Sequence, residues 1–261
     1  MQYMPGTSLA FLLVCSAPAG AAPGGAAASC EARNLDFGHK EVGWAPQRLS
    51  AFKRDTVYVL AQEDGRTVLR AEADSSASFY MTIFKPAVGV PAILSWRWKT
   101  DALVPGADNR DKTREDAPLR VIVAFDGNHS TLPQAEQRFL KRTRLPYATL
   151  MYIWSDHVAV ESVIPSAHTS RIKMLVVASG ASGLGSWHSV RRNVAEDYAR
   201  AYGAEPGRVL SVAVMTDTDN TRTKAVGQYA DIRFECAGGV DSRRDREGQV
   251  DRAVEEPDRE R

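Results

Sequence analysis

Val209-Leu-Ser-Val-Ala-Val-Met-Thr-Asp-Thr-Asp-Asn-Thr221 is an apolar run that ends in a dense polar segment. The first six residues, three of them valine, read as a strand. The last seven hold two carboxylates, a carboxamide and three hydroxyls, a composition with poor strand propensity and many oxygen ligands. In an extended chain alternate side chains share a face. Leu210, Val212 and Val214 then form an apolar face, and Ser211, Ala213, Met215, Asp217 and Asp219 the other. Asp217 and Asp219 would stand about 6.5–7 Å apart along the strand. That spacing suits calcium ligation, contact with an arginine, recognition of sugar hydroxyls or a catalytic carboxylate pair. It equally suits an Asx-rich turn whose carboxylates accept backbone N–H bonds.

Working outward, further strands are read near Val57–Gln62, Thr67–Ala73, Ser78–Phe84, Ala92–Thr100, Leu119–Phe125, Ala148–Trp154, Ala159–Ile164, Ile172–Ala178 and Gln228–Cys236. Asp64-Gly65 is a two-residue hairpin signal between two of them. About ten short strands in one chain point to an all-β, jelly-roll-like sandwich. One packed helix is expected, capped by Ser186 and ended by Gly203, with Trp187, Val190, Val194 and Tyr198 on one face. A second, weaker helix follows Pro133, from Gln134 to Arg142. Asp101 to Pro118 and Asp126 to Pro146 are long polar connections, the second with the basic run Lys141-Arg-Thr-Arg144, read as a solvated helix end.

Residues 1–29 contain no charged side chain and carry a short apolar core, Leu9 to Val14, before an Ala/Gly/Pro stretch. This is the pattern of a secretory signal peptide. The expected domain is therefore residues 30–237, followed by a charged, disordered tail over 238–261. Its two cysteines, Cys30 and Cys236, lie at opposite ends and are read as a disulfide in an oxidising, periplasmic or secreted setting. No apolar run is long enough to span a membrane. A formal charge of +1 argues against a nucleic-acid surface.

The familiar enzyme signatures are missing. The five histidines show no metal spacing, and Ser179-Gly-Ala-Ser-Gly183 lacks the final glycine of a nucleophile elbow. The Asp217-x-Asp219 opening resembles a calcium loop, but Arg222 and Gln228 replace its glycine and glutamate. Arg97 and Lys99 lie opposite Trp96 and Trp98, which read as core; Arg120 alternates with Val121 and Val123. Trp154, at a strand end, is the candidate sugar-stacking platform.

Taken together, Leu94-Ser-Trp-Arg-Trp-Lys99, Leu119-Arg-Val-Ile-Val-Ala-Phe125, Tyr152-Ile-Trp154, Arg192-Asn-Val194 with Asp197-Tyr198, and Met215 to Thr221 leading to Asp231-Ile232 resemble a bacterial family, domain of unknown function 3047. The resemblance implies a single exported domain with a sandwich similar to carbohydrate-binding modules. No activity comes with it. The Gly127–Arg144 loop departs by being long and basic.

Three readings of function stand. The first is a non-catalytic module binding a glycan or other polyhydroxylated ligand, with calcium an option at Asp217 and Asp219. Asp217, Asp219 and Asn220 would be acceptors, Arg97 and Arg120 donors, and Trp154 the stacking ring. The second is a hydrolase or lyase on envelope polysaccharide with Asp217 or Asp219 as acid or base. The third is a structural envelope protein in which the aspartates are architectural.

Overall fold

A computed structural model describes residues 31–236. In chain order the strands are β1 (Arg33–Asn34), β2 (Ala45–Arg48), β3 (Val57–Glu63), β4 (Arg66–Asp74), β5 (Ser78–Val88), β6 (Ile93–Thr100), β7 (Ala117–Phe125), β8 (Ala148–Ser155), β9 (Val163–Pro165), β10 (Ile172–Ser179), β11 (His188–Arg192), β12 (Val209–Asp217) and β13 (Lys224–Glu235). The helices are α1 (Gln134–Thr143) and α2 (Val194–Tyr202). Sheet A runs β11-β6-β13-β4-β3, with β1 also on β13; sheet B runs β2-β5-β12-β7-β8-β10-β9. The chain is a jelly-roll-like β-sandwich.

Alternation decides which side chains fill the space between the sheets. Leu94, Trp96 and Trp98 of β6 meet Leu150, Tyr152 and Trp154 of β8 there, with Trp96 5.1 Å from Tyr152 and Trp98 6.4 Å from Trp154 between ring centroids. Leu119, Val121, Val123 and Phe125 of β7 and Val212 and Val214 of β12 complete the floor. Phe125 is capped edge-on by Tyr198 of α2, 4.9 Å away. β13 passes so close to the opposite sheet that a Cβ on Gly227 would sit 2.4 Å from Thr216 Oγ1 and 2.8 Å from Pro118 O. Gly227→Ala is therefore expected to cost about 1–3 kcal/mol, read as a lowered urea midpoint; an unchanged midpoint would show that the sheets can part there.

The predicted strands form except the one over Ala159–Ile164, and Asp64 and Gly65 both take positive φ in the two-residue turn between β3 and β4. Three local readings change. Residues 188–192 are not helical: they form β11 at the edge of sheet A, with His188 opposite Trp98 and Val190 opposite Trp96. The helix begins only at Val194, capped by Asn193, whose side chain accepts from the Glu196 N–H, and ends at Gly203 in the left-handed region. Edge pairing to β6 overrides the three-residue apolar spacing that suggests an earlier start. The strand expected over Ala159–Ile164 is confined to β9, because Glu161 takes φ 68° and turns the chain. Sheet B also contains one parallel pair, β8 with β10, across the connection that carries β9.

The proposed signal peptide and charged tail lie outside the described residues, as does Cys30. Cys236 is disulfide-bonded. Among the described residues no helix is long and apolar enough to cross a membrane.

Candidate functional site

β12 and β7 are neighbours in sheet B, so Asp217 and Arg120 meet. Arg120 Nε donates to Asp217 Oδ1 at 2.8 Å and Nη2 to Oδ2 at 3.2 Å. The Ala117 N–H adds a third bond to Oδ1 at 3.1 Å. Both side chains are almost wholly enclosed, Arg120 at 3% and Asp217 at 5% exposed. The remaining guanidinium N–H groups reach the Glu115 carbonyl and the Met174 sulfur. Below the pair, Tyr229 Oη donates to the Met215 carbonyl at 2.6 Å, and Thr216 Oγ1 to the Pro118 carbonyl at 2.8 Å. Asp116 closes the turn after β12, accepting from the Asn220 and Thr221 N–H groups and from Thr221 Oγ1. Asp219 carries Lys53, 2.5 Å away, and Asn220 Nδ2 donates to the Lys112 carbonyl. Asp116, Asp217 and Asp219 bring oxygens within 4.8 Å of one another. Arg120 pairs with Asp217, Lys53 with Asp219, and the turn's N–H groups with Asp116.

The outer face of sheet A is different in kind. Trp187 leads into β11 and lies across β6, with Arg97 Cζ 5.1 Å and Lys99 Nζ 5.0 Å from its ring centroid. Glu63, at the end of β3, accepts from Lys99 Nζ at 2.7 Å and from the Trp187 indole at 3.1 Å. Its other oxygen accepts from Gln228 at 3.3 Å. The bond from Lys99, then that from Trp187, holds the Glu63 carboxyl below its usual range. Asp231 sits at a bulge in β13 with φ 55°, which turns its carboxylate to this face. There it meets Arg66 at 3.2 Å and Arg97 at 3.5 Å. Glu63, Asp64, Arg66, Arg97 and Trp187 line an open cavity of about 200 Å³. One flat apolar ring is thus ringed by fixed acceptors and donors.

Against protein-family models, residues 42–233 match the one described as "Protein of unknown function (DUF3047)". The chain belongs to this family. No curated protein matches it. Among solved structures, this DUF3047 chain is similar to the family 11 carbohydrate-binding module of a cellulosomal cellulase from Clostridium thermocellum, at 7% identity and TM-score 0.41, over 80% of this chain and 96% of that one. It is also similar to the Trichoderma harzianum endoglucanase 3 from family GH12, at 11% identity and TM-score 0.40, over 80% and 98%. The xyloglucanase domain of NopAA from Sinorhizobium fredii matches at 9% identity and TM-score 0.39, over 72% and 91%.

The six residues singled out in the sequence therefore divide. Asp217 and Arg120 form one buried pair, with Asp219 and Asn220 in the turn beside it. Arg97 is on the other sheet. Trp154 is 0% exposed on the inward face of β8, its indole donating to the Gly180 carbonyl, so it offers no surface on which a sugar could stack. Asp116 and Glu63 of the DUF3047 domain carry no signal in the sequence, while Trp187 reads there as a helix-face residue and Asp231 only as part of the family motif.

The buried pair has a pH signature. Burial pushes the Asp217 carboxyl up to about 6, against the opposing attraction of Arg120. Its folded value lies above its ordinary 3.8, so the folded state holds the proton more tightly and ionisation costs stability. That cost is absent below about pH 4, grows to about pH 6 and is complete above it. The expected size is on the order of 3 kcal/mol. Urea midpoints from acid to neutral pH should fall for the wild type relative to an Arg120→Met/Asp217→Leu variant; a difference moving the other way would contradict the assignment.

Proposed function

We propose that the domain is a non-catalytic binding module for a glycan or other polyhydroxylated ligand, and that the ligand sits in the groove on the outer face of sheet A. The observation that carries this reading is Trp187, a partly exposed indole beside an open cavity, tied by its N–H to Glu63 and flanked by Arg97 and Lys99. A sugar ring presents C–H groups on its face and hydroxyls on its edge. The indole suits the first, and the Glu63, Asp64, Arg66 and Arg97 groups suit the second. Side chains already fixed by ion pairs lose little freedom on binding. The cavity is below the usual range for drug-sized ligands, which fits one ring or a chain end rather than a long segment.

The buried pair is architecture in this reading. Asp217 has a raised carboxyl, but three hydrogen bonds and near-complete burial hold it away from any substrate. Arg120 and Lys53 balance the charges of Asp217 and Asp219, so this reading does not rely on calcium. An oxidising, exported setting fits the disulfide at Cys236. Affinity electrophoresis against a panel of neutral and acidic soluble polysaccharides tests the reading: retardation by at least one is expected, and free migration through all would defeat it.

A further inference from the structure

The connection from β7 to β8 holds a second built feature, independent of the sheet A groove. Within it, Arg138, Lys141 and Arg144 recur every third residue on α1 and its C-cap. Leu140 is buried at 1% and pins the helix to the sandwich. Arg144 takes the left-handed C-cap position, φ 57°, where glycine is the usual choice. The three cations, with His129, Gln134 and Gln137, line an open basin of about 560 Å³ that no carboxylate borders. The acid in the first turn, Glu136, is engaged elsewhere, accepting from Thr169 and Ser170.

These three cations share one basin, and none of them has a partner. Among the described residues neither Arg138, Lys141 nor Arg144 makes a side-chain hydrogen bond, ion pair or ring contact. By contrast, the arginines of the two sites described above are matched, Arg97 and Arg66 to Asp231 and Arg120 to Asp217, as is Arg192 to Asp197 and Glu161. Like charges one helical turn apart repel. A multiply charged anion placed between them turns that repulsion into attraction. Guanidinium groups form paired hydrogen bonds with phosphate oxygens, and a lysine adds a point charge.

We infer that this basin binds a phosphate-bearing ligand, either a soluble phosphorylated compound or a phospholipid headgroup. Three positive charges around one basin favour a multiply ionised phosphate over a single carboxylate, and the basin has room for more than the phosphoryl group alone.

The test is calorimetric titration of the full chain with inorganic pyrophosphate at low salt, beside malonate. Pyrophosphate should bind at least tenfold more tightly than malonate. An Arg138→Gln/Lys141→Gln/Arg144→Gln variant should lose at least tenfold in affinity while its Tm stays level or rises, because it removes only exposed, mutually repelling charges. Sedimentation with phosphatidylcholine vesicles, with and without phosphatidylglycerol, separates the two sources. Retention on the anionic vesicles, competed by pyrophosphate, assigns a headgroup; soluble binding alone assigns a free compound. Absence of pyrophosphate binding, equal affinity for malonate, or full affinity in the triple variant would each overturn the inference.

Discussion

Replacing Asp217 with alanine is expected to destabilise the domain by about 3–5 kcal/mol, because it strands a buried guanidinium. Arg120 is 3% exposed, and without Asp217 its Nε keeps no acceptor among the described residues. The Ala117 N–H loses its bond as well. For a domain of this size the drop corresponds to roughly 10 °C in Tm. Asp217→Asn should cost less, since its amide oxygen can still face Arg120. The pair swap Arg120→Met/Asp217→Leu should recover most of the loss. Met151, Met174, Met215 and Ile122 already surround the site with apolar surface, and apolar replacement of a buried ion pair is often close to neutral. Thermal or urea unfolding of the two single variants and the double closes the cycle. If Asp217→Ala melts within a degree of the wild type, the pair is not structural.

Trp187→Ala is expected to weaken ligand binding by about 2 kcal/mol, some 30-fold, the size typical of a tryptophan anchor. Stability should barely change, because Trp187 lies on the outer face of sheet A, away from the buried clusters. Its removal also frees Glu63 Oε1 from the indole, so Lys99 keeps the carboxylate but the acceptor is no longer aimed beside a stacking surface. Trp98→Ala is the useful contrast: it should hurt stability by about 3–5 kcal/mol and change affinity only through unfolding. Affinity electrophoresis against the retarding polysaccharide, together with Tm, separates the two behaviours. Equal retardation of wild type and Trp187→Ala would remove the groove from the account.

Much of the sandwich is written locally. The alternation in Leu94 to Lys99 and in Leu119 to Phe125 puts one apolar face inward, and Asp64-Gly65 marks its hairpin. The same rule also applies to Leu150, Tyr152 and Trp154, which alternate like Trp96 and Trp98; its consistent use places Trp154 inside. Short edge strands escape because they carry little pattern. β1 is two residues long, and β2 contains Pro46 and is exposed throughout. Trp187 is hidden for a different reason: its spacing to Val190 and Val194 mimics a helix face, while only the pairing of His188 to Arg192 with β6 shows that the segment it leads into is a strand.

The site divides along the same line. Asp217 with Arg120 was legible as a possibility, because both sit at polar positions of apolar strands, and neighbouring strand order made it a contact. Arg97 with Asp231 was not, because a bulge between Ala230 and Arg233 breaks the alternation that would have placed Asp231. Asp116 lies in a loop until β12 ends beside it.

The most direct test of the binding groove is the indole N–H region of a ¹H–¹⁵N NMR spectrum, which holds one signal for each of the five tryptophans. During titration with oligosaccharides from a retarding polysaccharide, the Trp187 signal should move progressively with the Arg97 Nε signal, while those of Trp96, Trp98 and Trp154 stay fixed. Saturable movement at another tryptophan, with Trp187 unchanged, would place the ligand elsewhere and contradict the account.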